Sequence, residues 1–245
     1  KLLTFRPDYI YMSPMPYGVG FLRDAIFMSL IRTFRIKPIY HLHGIGIANG
    51  MSSSMIMSHL YHFCFKGGKI IALSENLLKN EILNAGFKDC QNFILPNAIK
   101  DINTLGIVRE NLEEPLNIIF LSNLRASKGI FDFLKLANLC FKEQMPAEFN
   151  VIGPYRNKKS QIEIENYVKN SGISNVKFHG PQYGEKKYAL LKSADILVYP
   201  TYNDAFPLVI LEAMMFGLAV ISTHQGAIPE IISDNENGYL VNEGN

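Results

Sequence analysis

The chain has 245 residues, 48% of them hydrophobic and 19% charged. That composition excludes general disorder, and the length suits one large domain or two modest ones at roughly 100 to 200 residues each. A formal net charge of +2 gives no strong pull toward nucleic acid, although residues 1 to 95 carry ten Lys/Arg against five Asp/Glu and the rest fourteen against seventeen.

Short apolar runs alternate with longer amphipathic ones. YIYM (9–12), PIYHLH (38–43), KIIALS (69–74) and NFIL (92–95) are expected to be buried strands, with helices at about 20–35, 52–64 and 75–85 between them. A polar stretch from Pro96 to Pro115, with Asn97, Gly106 and the acidic pair 113–114, is expected to be an interdomain connection. The rhythm then restarts with strands NIIFLS (117–122), FNVIG (149–153), VKFHG (176–180), DILVYP (195–200), LAVIST (218–223) and GYLV (238–241). Helical patterns at about 128–143, 158–170, 184–193, 207–216 and 227–233 separate them. Such alternation implies an α/β fold of two Rossmann-like halves, each with a parallel sheet, whose ligands bind beyond the carboxyl ends of the strands.

Several function classes lose support at this point. Cys64, Cys90 and Cys140 are widely spaced and form no C-x-x-C pair, which argues against a disulfide scaffold or a cysteine zinc site and suits a reducing cytoplasm. The six histidines form no H-E-x-x-H, and no charged-then-apolar leader is visible. The longest apolar run, Phe206 to Ile221, is short for a membrane span of about 20 residues. It also contains Glu212, Pro207 and Gly217, and the last two suit the start and end of a helix.

Two strand-end turns concentrate chemistry. SNLRASKGI (122–130) places Arg125 and Lys128 in a small-residue turn before a helix. This suits an anion site at the helix N-terminus, or equally a turn capped by Ser127 with both cations solvated. The second turn leads into FPLVILEAMMFG. Pro207 suits a first helical position, leaving the amides of Leu208 and Val209 available to an anion. Glu212, one turn further on among apolar residues, needs hydrogen-bond donors. The two hydroxyls of a ribose would supply them, and this is preferred here to a salt bridge within the fold. Asp204 is a candidate ligand group or an N-cap.

These residues resemble the signature of retaining GT-B glycosyltransferases of the group 1 type, family GT4: an acid, seven residues, then Glu in E-A-M-x-x-G, followed by a strand and a G-x-I-P-E segment. Here these are Asp204, Glu212 to Gly217, LAVIST and GAIPE (226–230). SNLRASKG resembles the family's G-R-L-x-x-x-K-G, LPNAI (95–99) its interdomain L-P-N-G-[IV], and DILVYPT its A-D-[IV]-x-[VL]-x-P-S strand. The wording with SKGI, FPLVILEAM and HLHG is similar to enzymes of exopolysaccharide and lipopolysaccharide assembly. The chain departs from the pattern at three positions. Asp204 stands where Glu is usual, Asn123 where the Arg of G-R-L stands, and Pro207 where Gly is frequent.

The resemblance implies a GT-B fold with two parallel sheets facing across a cleft. It divides the chain into an apparently incomplete acceptor-side domain (1–96), a connection (97–115) and a nucleotide-sugar domain (116–245) without its last helices. It implies transfer of a hexose-type sugar from a nucleotide diphosphate sugar to a glycan or lipid-linked acceptor, with retention, no cofactor and no essential metal. Glu212 would bind the donor ribose, Asp204 the sugar hydroxyls, and Lys128 the diphosphate, with Arg125 the candidate substitute for the Arg missing at Asn123. The loop Phe206, Pro207, Leu208, and with it Val209, would approach sugar and phosphate through the backbone. His43 would face the donor sugar or help catalysis. His41 is expected to point to the opposite side and pack in the core.

The helix at 20–36, with Arg23, Arg32 and Arg35, is expected to pack on the sheet. A second reading has its basic edge touching anionic lipid or a lipid-linked acceptor, which would make a cytoplasmic protein peripheral to the membrane. Two alternatives to the transferase stand beside it: a nucleotide-sugar-binding module without turnover, and a nucleotide-sugar epimerase of the same plan.

Overall fold

The computed structural model describes residues 7–87, 89–101 and 114–244. Most of the connection expected between Pro96 and Pro115 lies outside the described residues. The chain divides into two compact units, Lys1–Asn97 and Ala98–Asn203 with Pro207–Asn245, the short segment Asp204–Phe206 being grouped with the first.

The first unit holds a parallel sheet of β1 (Tyr9–Met12), β2 (Lys37–Leu42), β3 (Lys69–Ala72) and β4 (Gln91–Ile94), in the order β1-β2-β3-β4. Its helices are α1 (Gly18–Thr33), α2 (Ile47–Ser52), α3 (Met55–Phe65) and α4 (Glu75–Leu77), which widens into π-helical geometry over Leu78–Leu83. Each step between strands moves the same way across the sheet, so right-handed crossovers put all these helices on one face. α1 buries Phe21, Ala25, Met28 and Ile31, a stripe at helical spacing. It stops in a Schellman turn. Arg35 takes φ +55°, its amide bonds to the Arg32 carbonyl, and the Ile36 amide reaches back to Ile31. The phenyl ring of Phe21 stacks on Tyr61 of α3 at 3.7 Å.

In the second unit the order is β10-β9-β8-β5-β6-β7, again all parallel. The strands are β5 (Leu116–Leu121), β6 (Ala147–Ile152), β7 (Val176–Gly180), β8 (Ile196–Tyr199), β9 (Ala219–Thr223) and β10 (Tyr239–Val241). The helices are α5 (Ile130–Lys142), α6 (Lys158–Ser171), α7 (Gly184–Ser193), α8 (Leu208–Met215) and α9 (Ile228–Ile231). From β5 the chain winds one way to β7, then returns to β8 and winds the other way. Right-handed crossovers therefore put α5 and α6 on one face and α7 to α9 on the other. The core between them includes Ile119, Phe133, Phe149, Leu191, Leu197, Ile210 and Val220, all fully buried.

The α/β class with parallel sheets agrees with the expectation, and every expected strand is present, but β1 and β4, the two edge strands of the first sheet, are not buried as expected. The helices differ in detail. The pattern at 52–64 begins at Met55, where Ser54 Oγ accepts from the Met57 amide, and it is preceded by the unanticipated α2. The pattern at 128–143 is split by a tight turn over Ala126–Lys128, and α5 starts only at Ile130.

Candidate functional site

In the second unit the order of strands reverses between β5 and β8, and the loops after these two strands are tied together. The Tyr202 amide and the Thr201 hydroxyl both donate to the Ser127 carbonyl, at 3.0 and 3.2 Å. Lys128 Nζ donates to the Asn203 carbonyl at 2.8 Å. Gly129 is where the loops come closest. It sits at φ +80°, and a Cβ there would stand 2.0 Å from the Pro200 carbonyl oxygen, so no other residue fits without moving backbone. This joint explains two corrections. Ser127 is not a helix cap, because α5 begins after Gly129 and has no side-chain cap. Nor is Lys128 a merely solvated cation.

Beside the joint, at the carboxyl ends of β5, β6 and β7, is a cavity of about 210 Å³. Asn123 lines it after β5, Gly153 after β6, Gln182 and Tyr183 after β7, Lys187 from α7, and Val209 and Glu212 from α8. Val209 and Glu212 are three apart on α8, which turns both to the same side. α7 and α8 are packed through Tyr188 and Phe216, whose rings are 5.6 Å apart.

Glu212 has a partner within the fold. Lys187 Nζ lies 2.6 Å from its Oε1, with both side chains 18% exposed. The salt bridge that the sequence analysis ranked below a ligand contact is therefore present. Its physical cause is the one that made the lone carboxylate conspicuous: a half-buried charge takes the nearest donor. Oε2 has no hydrogen bond among the described residues. Lys187 was missed, although a signal existed. It lies one turn before the fully buried Leu191, so its side chain leaves the helix on the inward face.

The entry to α8 also differs from expectation. Pro207 is the N-cap rather than the first helical residue, with φ −74° and ψ 106°. The helix then begins at Leu208, and the Ile210 amide bonds to the Pro207 carbonyl at 3.2 Å. The amides of Leu208 and Val209 have no protein acceptor among the described residues, as at any uncapped helix start. Asp204 does not cap the helix, which has no side-chain cap. It is half-buried, as is Phe206.

The structure does not place Arg125 in the cavity of Asn123 and Glu212. It lines a separate space of about 420 Å³ with Arg156, Lys159 and the start of α6.

In the first unit, His43 follows β2 directly and is exposed. His41 is buried, but it does not point away from His43. Their ring centroids are 4.0 Å apart, because residues two apart on a strand share a face. The Tyr11 hydroxyl bonds to His41 Nδ1 at 2.6 Å, while Nε2 is buried without a hydrogen bond among the described residues. Burial, and then the neighbouring His43, holds His41 below the usual histidine pKa. On α1, Arg23 pairs with Asp24 at 2.8 Å. Arg32 donates to the Lys66 carbonyl and lies over the Phe63 ring.

Among the described residues no three His, Cys, Asp or Glu side chains are gathered into a metal site, and no helix is long and apolar enough to cross a membrane.

Comparison with known proteins brings these features under one family. The model of "Glycosyl transferases group 1" matches residues 107–245, more than half of the chain. The D-inositol 3-phosphate glycosyltransferase of Paenarthrobacter aurescens is 28% identical over 131 residues, which cover 52% of this chain and 32% of that one. Amylovoran biosynthesis glycosyltransferase AmsK of Erwinia amylovora is 29% identical over 150 residues, covering 56% and 35%. The matched part of the chain thus spans about a third of the length of these relatives. Anabaena Alr3699/HepE, solved in complex with UDP and glucose, superposes with a TM-score of 0.72 at 18% identity, over 97% of this chain and 65% of that one. The likeness is one of fold, and the fold is that of GT-B glycosyltransferases. With its family model matched along the unit that carries the Glu212 cavity, the chain belongs to the glycosyl transferases group 1 family.

Proposed function

We propose that the protein moves a hexose-type sugar from a nucleotide diphosphate sugar to a glycan or lipid-linked acceptor, with retention at the anomeric carbon, as in family GT4. The observation that carries this is the Glu212 cavity. It lies at the carboxyl ends of a parallel sheet and beside the reversal of strand order, the position where open α/β sheets bind nucleotides. Glu212 Oε2 accepts from the ribose, and the ion pair with Lys187 orients the carboxylate. The uncapped start of α8, with the amides of Leu208 and Val209, and the Lys128 ammonium stabilise charge on the leaving diphosphate. Asn123 contributes from the cavity wall after β5. Arg125, on the other side of its turn, would need a rotamer change to join them. Asp204, with the Phe206–Pro207 backbone, holds the sugar hydroxyls, and His43 contacts the donor sugar or assists the transfer. The acceptor belongs to polysaccharide or lipopolysaccharide assembly at the inner face of the membrane, in keeping with the amylovoran relative. The basic edge of α1 and of the residues after it, with Arg23, Arg32 and Arg35, is the candidate peripheral contact.

Because the Anabaena neighbour was solved with UDP and glucose, UDP-glucose is the first donor to test. Incubation with acceptor glycans, followed by NMR of the anomeric proton, tests transfer and stereochemistry together. An α-linked product from the α-linked donor is expected. An inverted product would remove the retaining assignment, and donor binding with neither transfer nor hydrolysis would favour a binding module.

A further inference from the structure

A buried carboxylate in the first unit plays no part in that scheme. Glu81 lies in the π-helical stretch Leu78–Leu83 and is 7% exposed. Its Oε2 accepts from three consecutive backbone amides, Gly46 at 3.0 Å, Ile47 at 2.6 Å and Ala48 at 3.4 Å. These include the first amides of α2, which a helix cannot pair within itself, and α2 has no cap of its own because its N-cap residue is Gly46. A side chain 35 residues away supplies the cap. Locally widened helices of this kind often mark a functional constraint.

The turn that Glu81 grips is also held from the other side. Gly46 has φ +125°, and a Cβ there would stand 2.4 Å from the Tyr17 ring. Pro16 presses on Gly44, where a Cβ would meet its ring carbon at 2.9 Å. Pro16 is itself fixed by the Tyr61 hydroxyl, which donates to its carbonyl at 2.8 Å. Burial, then Cys64 and Glu81 nearby, pushes the Tyr61 phenol up to about 12, so that hydroxyl keeps its proton. The turn Gly44–Gly46 therefore has one position, and His43 is the residue that enters it from β2. An apolar residue at 81 would leave two buried amides and a part-buried one unpaired.

We infer that Glu81 is a positioning residue: its carboxylate fixes the turn after β2 and thereby sets where the His43 imidazole stands. The consequence for turnover rests on the proposed contact of His43 with the donor sugar; the consequence for His43 itself does not. The test compares Glu81→Ala, Glu81→Gln, Glu81→Asp and His43→Ala in the full chain. Three readouts are followed: the His43 ring resonances in a 1H–13C spectrum, donor turnover with UDP-glucose, and UDP affinity by calorimetry. In Glu81→Ala the His43 resonances shift and kcat falls at least tenfold. UDP affinity stays within twofold, because the cavity that takes the nucleotide is lined by the second unit. Glu81→Gln, which keeps an acceptor oxygen, restores most of the rate. Should Glu81→Ala fail to fold, Glu81→Asp withdraws the carboxylate by one methylene and is expected to shift the same resonances. Unchanged His43 resonances in a folded Glu81→Ala or Glu81→Asp protein overturn the inference. A fully active His43→Ala would instead remove the role of His43 and leave the positioning result to stand on the spectrum.

Discussion

The two units are built from the same strand–helix repeat, yet they handle their strand ends differently. In the first, β1 to β4 follow one another across the sheet and all helices share a face, so the sheet has no reversal among its described strands. In the second, the chain returns from β7 to β8, and the loops on either side of that reversal are joined at Ser127, Lys128 and Gly129. At this reversal the flanking loops are tied to each other, and the cavity of Asn123 and Glu212 lies beside them at the ends of β5, β6 and β7. A one-way sheet offers only single turns, and the one after His43 is held in place by side chains, Glu81 and Pro16. The difference teaches that backbone topology shapes the cavity of Glu212 in the second unit, while side-chain clamps hold the turn after His43 in the first.

The comparison can be broken most forcefully in the second unit. Phe149 is fully buried against Phe133, with ring centroids 5.4 Å apart. Replacing it with Ala should cost about 3–5 kcal/mol, read from urea unfolding. Next, Gly129→Ala places a Cβ on the Pro200 carbonyl and strains a left-handed residue, for a loss of about 2 kcal/mol or more. Donor binding should fall with it, since both loops shift. If Gly129→Ala leaves binding intact, the joint is not what shapes the crevice.

The pH response should be shared by both units. His41 in the first and His179 in the second are each held below the usual histidine pKa, first by burial and then by His43 and Lys177 respectively. The unfolded chain therefore binds more protons on acidification. Their contribution is complete above the unfolded histidine pKa of about 6.5 and is lost as pH falls from there through the lower folded values. Thermal unfolding followed from pH 7.5 to pH 5 should show a falling Tm, and a flat profile contradicts the shifts. The smallest effects are the helix caps. Asn157→Ala on α6, where Asn157 accepts from the Ser160 amide at 2.9 Å, and Ser54→Ala on α3 should each cost about 1 kcal/mol. Unequal losses would mark one unit as the less tightly coupled.

Much of this was legible in the sequence. The ten strands stood out because each is a short apolar run bounded by turn residues, and Glu212 because a carboxylate in an apolar run demands an explanation. What stayed hidden is tertiary. Nothing in GEKKYALLKS says that Lys187 meets Glu212, beyond its sharing a helix face with Leu191. The cap of α2 was invisible because its acceptor comes from a distant helix. The place of His41 beside His43 is legible in PIYHLH itself, since residues two apart on a strand share a face. Arg125 and Lys128 are close in sequence, but Arg125 lines the space beside α6 while Lys128 reaches the Asn203 carbonyl.

Calorimetric titration of UDP into the wild-type chain and Glu212→Ala tests the central claim most directly. The account predicts saturable binding to the wild type and an affinity at least tenfold weaker in a folded Glu212→Ala protein. Equal affinity in the two would contradict a donor site built on Glu212.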